Sequence, residues 1–166
     1  MDGEQNRRRW YVLHVKPRTE KKVDDFLSCL RVFHYLPLLR KETKVQRRRV
    51  VRELPIFPGY VFARLFPDER LRVLDTKQIV QMVEVGNPRQ MVHQLRQVAH
   101  AIRLTEDLRI AETYEPGDSV RVVSGPLRGL EGLVRRKDGV ASLVLTVDIL
   151  GRALETSVLQ SDLVKM

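Results

Sequence analysis

Hydrophobic positions in the first hundred residues recur with two different periods. The aromatic and β-branched run Trp10–Val15 predicts a β-strand. Thr19 is then placed to cap a helix. The helix is indicated by apolar side chains that recur at spacings of three and four residues, namely Val23, Phe26, Leu27 and Leu30. The chain therefore starts with a strand followed by an amphipathic helix.

Further elements follow with the same alternation of strand and helix. Three more strands are predicted at Tyr35–Leu39, Tyr60–Leu65 and Ile79–Val85. Two more helices are predicted to start at Pro67 and at Pro88. The tract 40–52 holds seven basic residues and one acid, which favours a basic hairpin or loop between strands. Mixed strands and helices of this kind predict an α+β fold, a sheet with helices packed on it.

The pattern changes after residue 115. No helical period is present there, and the strand-like alternation is clearest at Leu143, Leu145 and Val147. Six of the nine glycines lie in residues 115–166, which indicates short strands joined by tight turns. We expect a small β-barrel.

The distribution of charge also changes near residue 115. The formal net charge is +9, but residues 115–166 contain seven basic and seven acidic residues and are neutral. The whole excess therefore belongs to residues 1–114, and it favours a polyanionic partner such as nucleic acid. Two compositions predict two modules, with limits 9–104 and 115–166 and a linker at 105–114.

Other classes of protein are disfavoured by what the sequence lacks. With one cysteine, Cys29, the chain can form no internal disulfide and no Cys-rich zinc module. No apolar run is long enough for a membrane span, so a cytoplasmic protein is expected. The four histidines lack metal-ligand spacing, and no phosphate-binding loop or nucleophile elbow is present. We therefore expect no catalytic residue, no cofactor and no bound metal.

Two motifs resemble a known family. Gly117–Val134, GDSVRVVSGPLRGLEGLV, resembles a KOW domain. WYVLHVKPRTE at Trp10–Glu20 and LPIFPGYVFARL at Leu54–Leu65 resemble the NGN domain of NusG-type transcription elongation factors. The PIFPGYVF form is closer to the specialised RfaH-like members. The resemblance implies an NGN-like antiparallel sheet packed with helices, followed by a five-stranded, SH3-like KOW barrel.

In this family the NGN domain binds RNA polymerase. By resemblance, the residues that bind the clamp helices of the β′ subunit are Val12, His14, Phe57, Tyr60 and Phe62. Alternate residues on a strand share a face, which is consistent with a common surface. Aromatic residues on strands are also common in cores, so the same side chains could simply be buried.

Basic residues mark two further contacts that the resemblance implies. The gate loop of the polymerase β subunit would be contacted by Arg70 and Arg72 at the start of the second helix. Non-template or upstream DNA would lie near Lys16, Arg18 and Lys22, although each could equally belong to a solvated helix face. For Arg47–Arg49 the sequence favours neither a binding role nor a solvated hairpin tip.

The KOW domain implies a protein partner. The matching loop is Ile149, Leu150, Gly151 and Arg152, and family partners are a small-subunit ribosomal protein or the termination factor Rho. Some RfaH-like proteins refold this module into a helical hairpin, but its β-branched residues and glycines favour strands. A monomer is expected.

Two functions therefore stand as hypotheses. The first is a non-enzymatic transcription elongation or antitermination factor that binds RNA polymerase, suppresses pausing or termination, and recruits the ribosome or Rho. The alternative is a ribosome-associated or RNA-binding KOW protein that acts in translation. The alternative predicts a basic KOW barrel, whereas residues 115–166 are neutral.

Overall fold

The structure is a computed structural model that describes residues 6–111 and 117–166. The chain divides into two compact units, Met1–Pro88 and Arg89–Met166. The domain limits predicted above, 9–104 and 115–166, remain a prediction. In the described ranges no helix is both long and apolar enough to cross a membrane.

Among its described residues, the first unit contains six strands and two helices. Its strands are β1 (Arg9–Val15), β2 (Phe33–Tyr35), β3 (Leu38–Val45), β4 (Arg48–Pro55), β5 (Tyr60–Leu65) and β6 (Ile79–Glu84). Its helices are α1 (Glu20–Cys29) and α2 (Pro67–Asp75). An antiparallel sheet has the order β2-β5-β1-β6, and β3 and β4 form a separate hairpin. The mixed α+β architecture is thus confirmed.

One face of this sheet forms a hydrophobic core with α1 and α2. Leu13 and Val61 are fully buried there, one on β1 and the other on β5. They belong to the same cluster as Val23 and Leu27 of α1 and Val73 of α2. Full burial of a side chain of this size is worth about 1.5–3 kcal/mol. The amphipathic face predicted for the first helix is therefore the face that α1 buries.

Two local predictions were wrong. The strand predicted at Tyr35–Leu39 is interrupted, because β2 ends at Tyr35 and β3 begins at Leu38. Pro37 lies between them; it has no N–H for a ladder, and its carbonyl accepts a hydrogen bond from Ile56 N at 2.9 Å. Thr19 does occupy the N-cap position of α1, but its hydroxyl donates to Lys16 O at 2.7 Å and makes no cap.

The described residues of the second unit form one long helix and a β-sheet. The helix is α3 (Pro88–Leu104), which agrees with the predicted start at Pro88. The strands are β7 (Arg109–Ile110), β8 (Ser119–Val122), β9 (Glu131–Lys137), β10 (Val140–Val147), β11 (Arg152–Val158) and β12 (Leu163–Lys165). They are antiparallel in the order β12-β8-β9-β10-β11-β7.

The β-rich character of this unit is confirmed, but the five-stranded barrel needs correction. The sheet has six strands, and among the described residues its edge strands β12 and β7 do not pair to close it. The additional strand, β7, lies in the segment predicted as a linker. It pairs with β11, where Arg109 is opposite Glu155 and donates to it at 3.1 Å.

Helix α3 contacts the sheet of its unit through glutamine side chains. Gln94 Nε2 donates to Asp148 Oδ2 at 2.9 Å, and Gln94 Oε1 accepts from Asp148 N at 3.0 Å. Gln97 Oε1 accepts from Glu131 N at 3.0 Å. These bonds connect α3 to β9 and to the loop that follows β10.

Candidate functional site

The second face of the first unit's sheet presents the residues predicted to bind the clamp. The register places Val12 opposite Phe62 and His14 opposite Tyr60. Directly opposed residues of an antiparallel pair share a face. The His14 and Tyr60 rings are stacked, with centroids 5.1 Å apart and planes 19° apart. The structure thus brings four of the five residues together on one sheet face, away from the helix-side core.

Their exposure differs. Val12, Phe57 and Phe62 are buried, at 4%, 1% and 0% relative exposure. His14 and Tyr60 are partly exposed. In this structure, therefore, the surface that a partner can reach among the five is that of the stacked pair.

A tight turn fixes the position of Tyr60. Gly59 has φ +90°, a backbone conformation that favours glycine, and its carbonyl accepts from Val15 N at 2.8 Å. Tyr60 N donates to Phe57 O at 3.2 Å within the same turn. The bond from Val15 thus connects the end of β1 to the turn that precedes β5, next to the two stacked rings.

An open depression lies beside His14. Its volume is about 710 Å³, and its walls include apolar side chains from β4 and β6, of which Leu54 and Val80 are 47% and 59% exposed. Arg18 and Lys21 stand at its border. Sequence reasoning missed Lys21, Leu54 and Val80. Val80 comes near His14 because β6 pairs with β1, and no local pattern encodes that pairing.

The aromatic surface also extends beyond the predicted residues. Trp10 lies on the same face of β1 as Val12 and His14, since strand residues alternate. Phe33 of β2 is 67% exposed and meets Trp10 edge to face, with ring centroids 5.7 Å apart. Trp10 could have been found from the alternation, whereas Phe33 required knowledge that β2 pairs with β5.

The predicted DNA-proximal residues surround the turn from β1 to α1. Lys16, Arg18 and Lys22 are all exposed. Arg18 has φ +63°, which places it in the left-handed region within this turn. With Lys21 they make four exposed cations within seven residues, which form a small positive surface next to the depression.

The predicted gate-loop residues lie on α2. Arg72 is exposed, and Arg70 is partly buried with its guanidinium 5.9 Å from the Tyr11 ring centroid. The start of the helix is held by Glu69, which accepts from Phe66 N at 2.7 Å and pairs with Arg8 at 3.1 Å. The two arginines therefore stand on a firmly anchored helix.

The predicted partner loop of the second unit is a one-turn 3-10 helix at Asp148–Leu150. It ends at Gly151, which has φ +59° and donates from its N–H to Asp148 O at 2.9 Å. Ile149 and Leu150 are partly exposed, and Arg152 is exposed. The loop therefore offers two apolar side chains next to a cation.

One cluster has the residue types of a hydrolase but not the geometry. His34 Nε2 lies 3.1 Å from Asp24 Oδ1 and 3.3 Å from Ser28 Oγ, while Nδ1 faces Val32 O at 2.9 Å. In a catalytic triad the serine and the carboxylate use different ring nitrogens. Here both share Nε2, and Ser28 donates to the Asp24 carbonyl at 3.0 Å. The cluster connects α1 to β2 and has no nucleophile–base–carboxylate relay.

Within residues 6–111 and 117–166, no group of three or more His, Cys, Asp or Glu side chains is placed to hold an ion.

Comparisons with known proteins agree with the fold. The family model described as transcription termination factor nusG matches residues 8–103. The transcription termination/antitermination protein NusG of Borreliella burgdorferi is 23% identical over 174 residues, covering 91% of this chain and 95% of that protein. A solved structure concerning domain interaction in Thermotoga maritima NusG has a TM-score of 0.52 at 19% identity, covering 96% of this chain and 97% of that chain. At this identity the structural likeness supports the fold alone.

Proposed function

From the premise that this chain belongs to the NusG family of transcription termination factors, we propose that it binds RNA polymerase through the face of β1 and β5. It is a transcription elongation or termination factor by family. The finer proposal is that it binds the β′ clamp helices, suppresses pausing or termination, and uses its second unit to recruit a protein partner. The RfaH-like subgroup remains a prediction.

The observation that supports polymerase binding best is the stacked pair His14–Tyr60. Partly exposed aromatic rings, held in place by strand pairing, lose little conformational entropy when a partner covers them. The depression beside His14 adds exposed apolar surface at Leu54 and Val80. Interface energy is typically concentrated in a few aromatic anchors of this kind.

Two groups of cations suit the remaining contacts, one at the turn from β1 to α1 and the other on α2. Lys16, Arg18 and Lys22 would meet phosphates of non-template or upstream DNA, in contacts that position the protein and read no sequence. Arg70 and Arg72 would meet the gate loop. Both groups are proposed to orient the first unit on the transcribing complex.

The loop Ile149–Arg152 is the proposed contact for a small-subunit ribosomal protein or Rho. Its partly exposed apolar pair, Ile149 and Leu150, and the neutral charge of residues 115–166 favour a protein over a nucleic acid. Leu150→Ala should weaken capture of that partner and leave polymerase binding unchanged.

The polymerase proposal is tested by affinity measurement with bacterial core RNA polymerase. The variant is His14→Ala/Tyr60→Ala, because neither residue is part of the helix-side core. Phe57→Ala is avoided, since truncating a fully buried phenylalanine costs about 3–5 kcal/mol of stability. Leu159→Ala is the control, an exposed apolar residue of the second unit at 68% exposure. Trp10 fluorescence checks that the first unit stays folded.

We expect the double variant to bind about 30-fold more weakly, because loss of one aromatic anchor typically costs about 2 kcal/mol of binding free energy. The control should bind like the wild type. Equal binding by the double variant would refute the site, and no binding by the wild type would refute the function. Capture of ribosomes without polymerase would support the translation alternative.

A further inference from the structure

The β3–β4 hairpin is a two-stranded ribbon that stands apart from the main sheet of its unit. In the described part of the chain, β3 and β4 pair with each other and with no other strand. Eight paired positions span about 23 Å at 3.3 Å per residue. The base is anchored by the buried Leu39 and by the bond from Ile56 N to Pro37 O. The outer part of the ribbon is exposed.

This ribbon holds much of the protein's positive charge. Residues 40–53 contain two carboxylates and seven cations, for a net charge of +5. The cations are all exposed: Arg40, Lys41, Lys44, Arg47, Arg48, Arg49 and Arg52. Within the residues that the structure describes, none of these seven takes part in an ion pair.

The register divides this charge unequally between the two faces. One face, here called the basic face, has Lys41 opposite Arg52 and Arg48 opposite Val45, with no carboxylate. The other, here called the mixed face, has three cations and two carboxylates: Arg40, Lys44, Arg49, Glu42 and Glu53. The basic face has a charge of +3 and the mixed face +1, and Arg47 adds one more at the tip.

Folding alone does not account for this arrangement. Like charges placed directly opposite, such as Lys41 and Arg52, destabilise a strand pair. At the tip, Gln46 and Arg47 have φ +48° and +67°, a turn that favours Asn-Gly. The ribbon thus keeps an arginine where glycine would be more stable, and a cation pair where a neutral or mixed pair would be more stable.

We propose that the basic face of the β3–β4 hairpin binds the phosphates of double-stranded B-form DNA. A two-stranded ribbon fits the major groove, which is about 12 Å wide. Arg48 and Arg52 are four residues apart on β4, so their backbone positions are about 13 Å apart, comparable with that width. Five of the seven cations are arginines, which bind phosphate with two parallel hydrogen bonds.

The binding is independent of base sequence, because phosphate contacts position a protein without reading bases. It goes beyond the proposed polymerase contact, since Lys41, Arg48 and Arg52 are not among the residues proposed to bind polymerase and the binding needs no polymerase. Failure of one therefore leaves the other standing.

The test uses the full chain and a short fluorescein-labelled DNA duplex, with fluorescence anisotropy measured across about 50–200 mM salt. The basic-face variant is Lys41→Gln/Arg48→Gln/Arg52→Gln. The matched control is the mixed-face variant Arg40→Gln/Lys44→Gln/Arg49→Gln, which has the same net charge. Single-stranded DNA of the same sequence and polyglutamate serve as competitors.

For the basic-face variant we expect a loss of affinity of at least about tenfold and a salt slope lower by about 3, one unit for each lost phosphate contact. In the mixed-face variant the salt slope should decrease by less than about a third of that amount. A second duplex of unrelated sequence should bind equally well.

Equal losses in the two variants would show general charge attraction and overturn the assignment to one face. Competition by single strands as strong as by duplex would overturn the groove geometry. Competition by polyglutamate as strong as by duplex would assign the ribbon to an acidic protein surface instead.

Discussion

Glu20 accepts a hydrogen bond from the backbone N–H of Gly59 at 2.9 Å, across 39 positions of the chain. Glu20 is the first residue of α1 and is 7% exposed. The carboxylate therefore joins the start of the first helix to the turn that precedes Tyr60. The bond connects the helix-side core to the stacked rings on the other face of the sheet.

Removing that carboxylate should destabilise the first unit. Hydrogen bonds to charged groups contribute about 1.5–3 kcal/mol, so Glu20→Ala should lower the free energy of unfolding by a similar amount. Urea denaturation followed by Trp10 fluorescence measures the change. Asp25→Ala is the control on the exposed side of α1 and should shift the free energy by less than about 0.5 kcal/mol. A Glu20→Ala value as small as that of the control would show that the bond contributes nothing.

The turn at the tip of the β3–β4 hairpin should become more stable with a sequence suited to it. Left-handed backbone costs a residue with a side chain about 1–2 kcal/mol, and Arg47 adopts it at φ +67°. Gln46→Asn/Arg47→Gly should therefore stabilise the ribbon by about 1 kcal/mol. Amide exchange in β3 and β4, which measures this change, should become about fivefold slower. Gln46→Asn alone leaves Arg47 in place and should give a smaller effect. Faster amide exchange in the double variant would contradict the claim that the left-handed backbone of Arg47 destabilises the turn.

How much of the fold could be predicted depends on whether the signal is local. Alternation along Tyr60–Leu65 and the proline at Pro88 located β5 and the start of α3 correctly. The break at Pro37 was missed because apolar residues continue on both sides of it. Strand β7 was missed because its two residues acquire strand geometry by pairing with β11, which is distant in the chain.

The candidate site shows the same limit. Alternation was sufficient to place Val12 with His14 and Tyr60 with Phe62, and the register confirms that each pair shares a face. Alternation could not tell which of them are exposed, because exposure is decided by the packing of the whole chain. The separation of the hairpin's charge into two faces likewise required the register of β3 against β4.

Glu155 should be an important stabilising charge in the second unit. It is 6% exposed and lies between two arginines, Arg109 at 3.1 Å and Arg135. Glu155→Ala leaves both cations without this partner, and loss of one member of a buried pair costs up to about 3–5 kcal/mol. Since Arg109 is 45% exposed, we expect about 2 kcal/mol, measured as faster amide exchange in β10 and β11.

The control for Glu155 is Asp118, which pairs with Lys165 at 3.3 Å in an exposed position. Exposed pairs contribute about 0–1 kcal/mol, so Asp118→Ala should have a minor effect. Equal effects of the two substitutions would mean that burial adds nothing to the Glu155 pairs.

A methyl group at Gly132 should disrupt the contact between β9 and β10. A Cβ built there would lie 2.5 Å from the Val144 carbonyl oxygen, and a backbone atom of a central strand cannot move away as a flexible side chain can. Gly132→Ala should therefore destabilise the second unit by about 1–3 kcal/mol, detected as faster amide exchange in β9 and β10. Gly86→Ala is the matched control in the first unit, because a Cβ there meets no atom within 4 Å and should cost less than about 0.5 kcal/mol. If Gly132→Ala were as mild as Gly86→Ala, the close approach of these two strands would have to be abandoned.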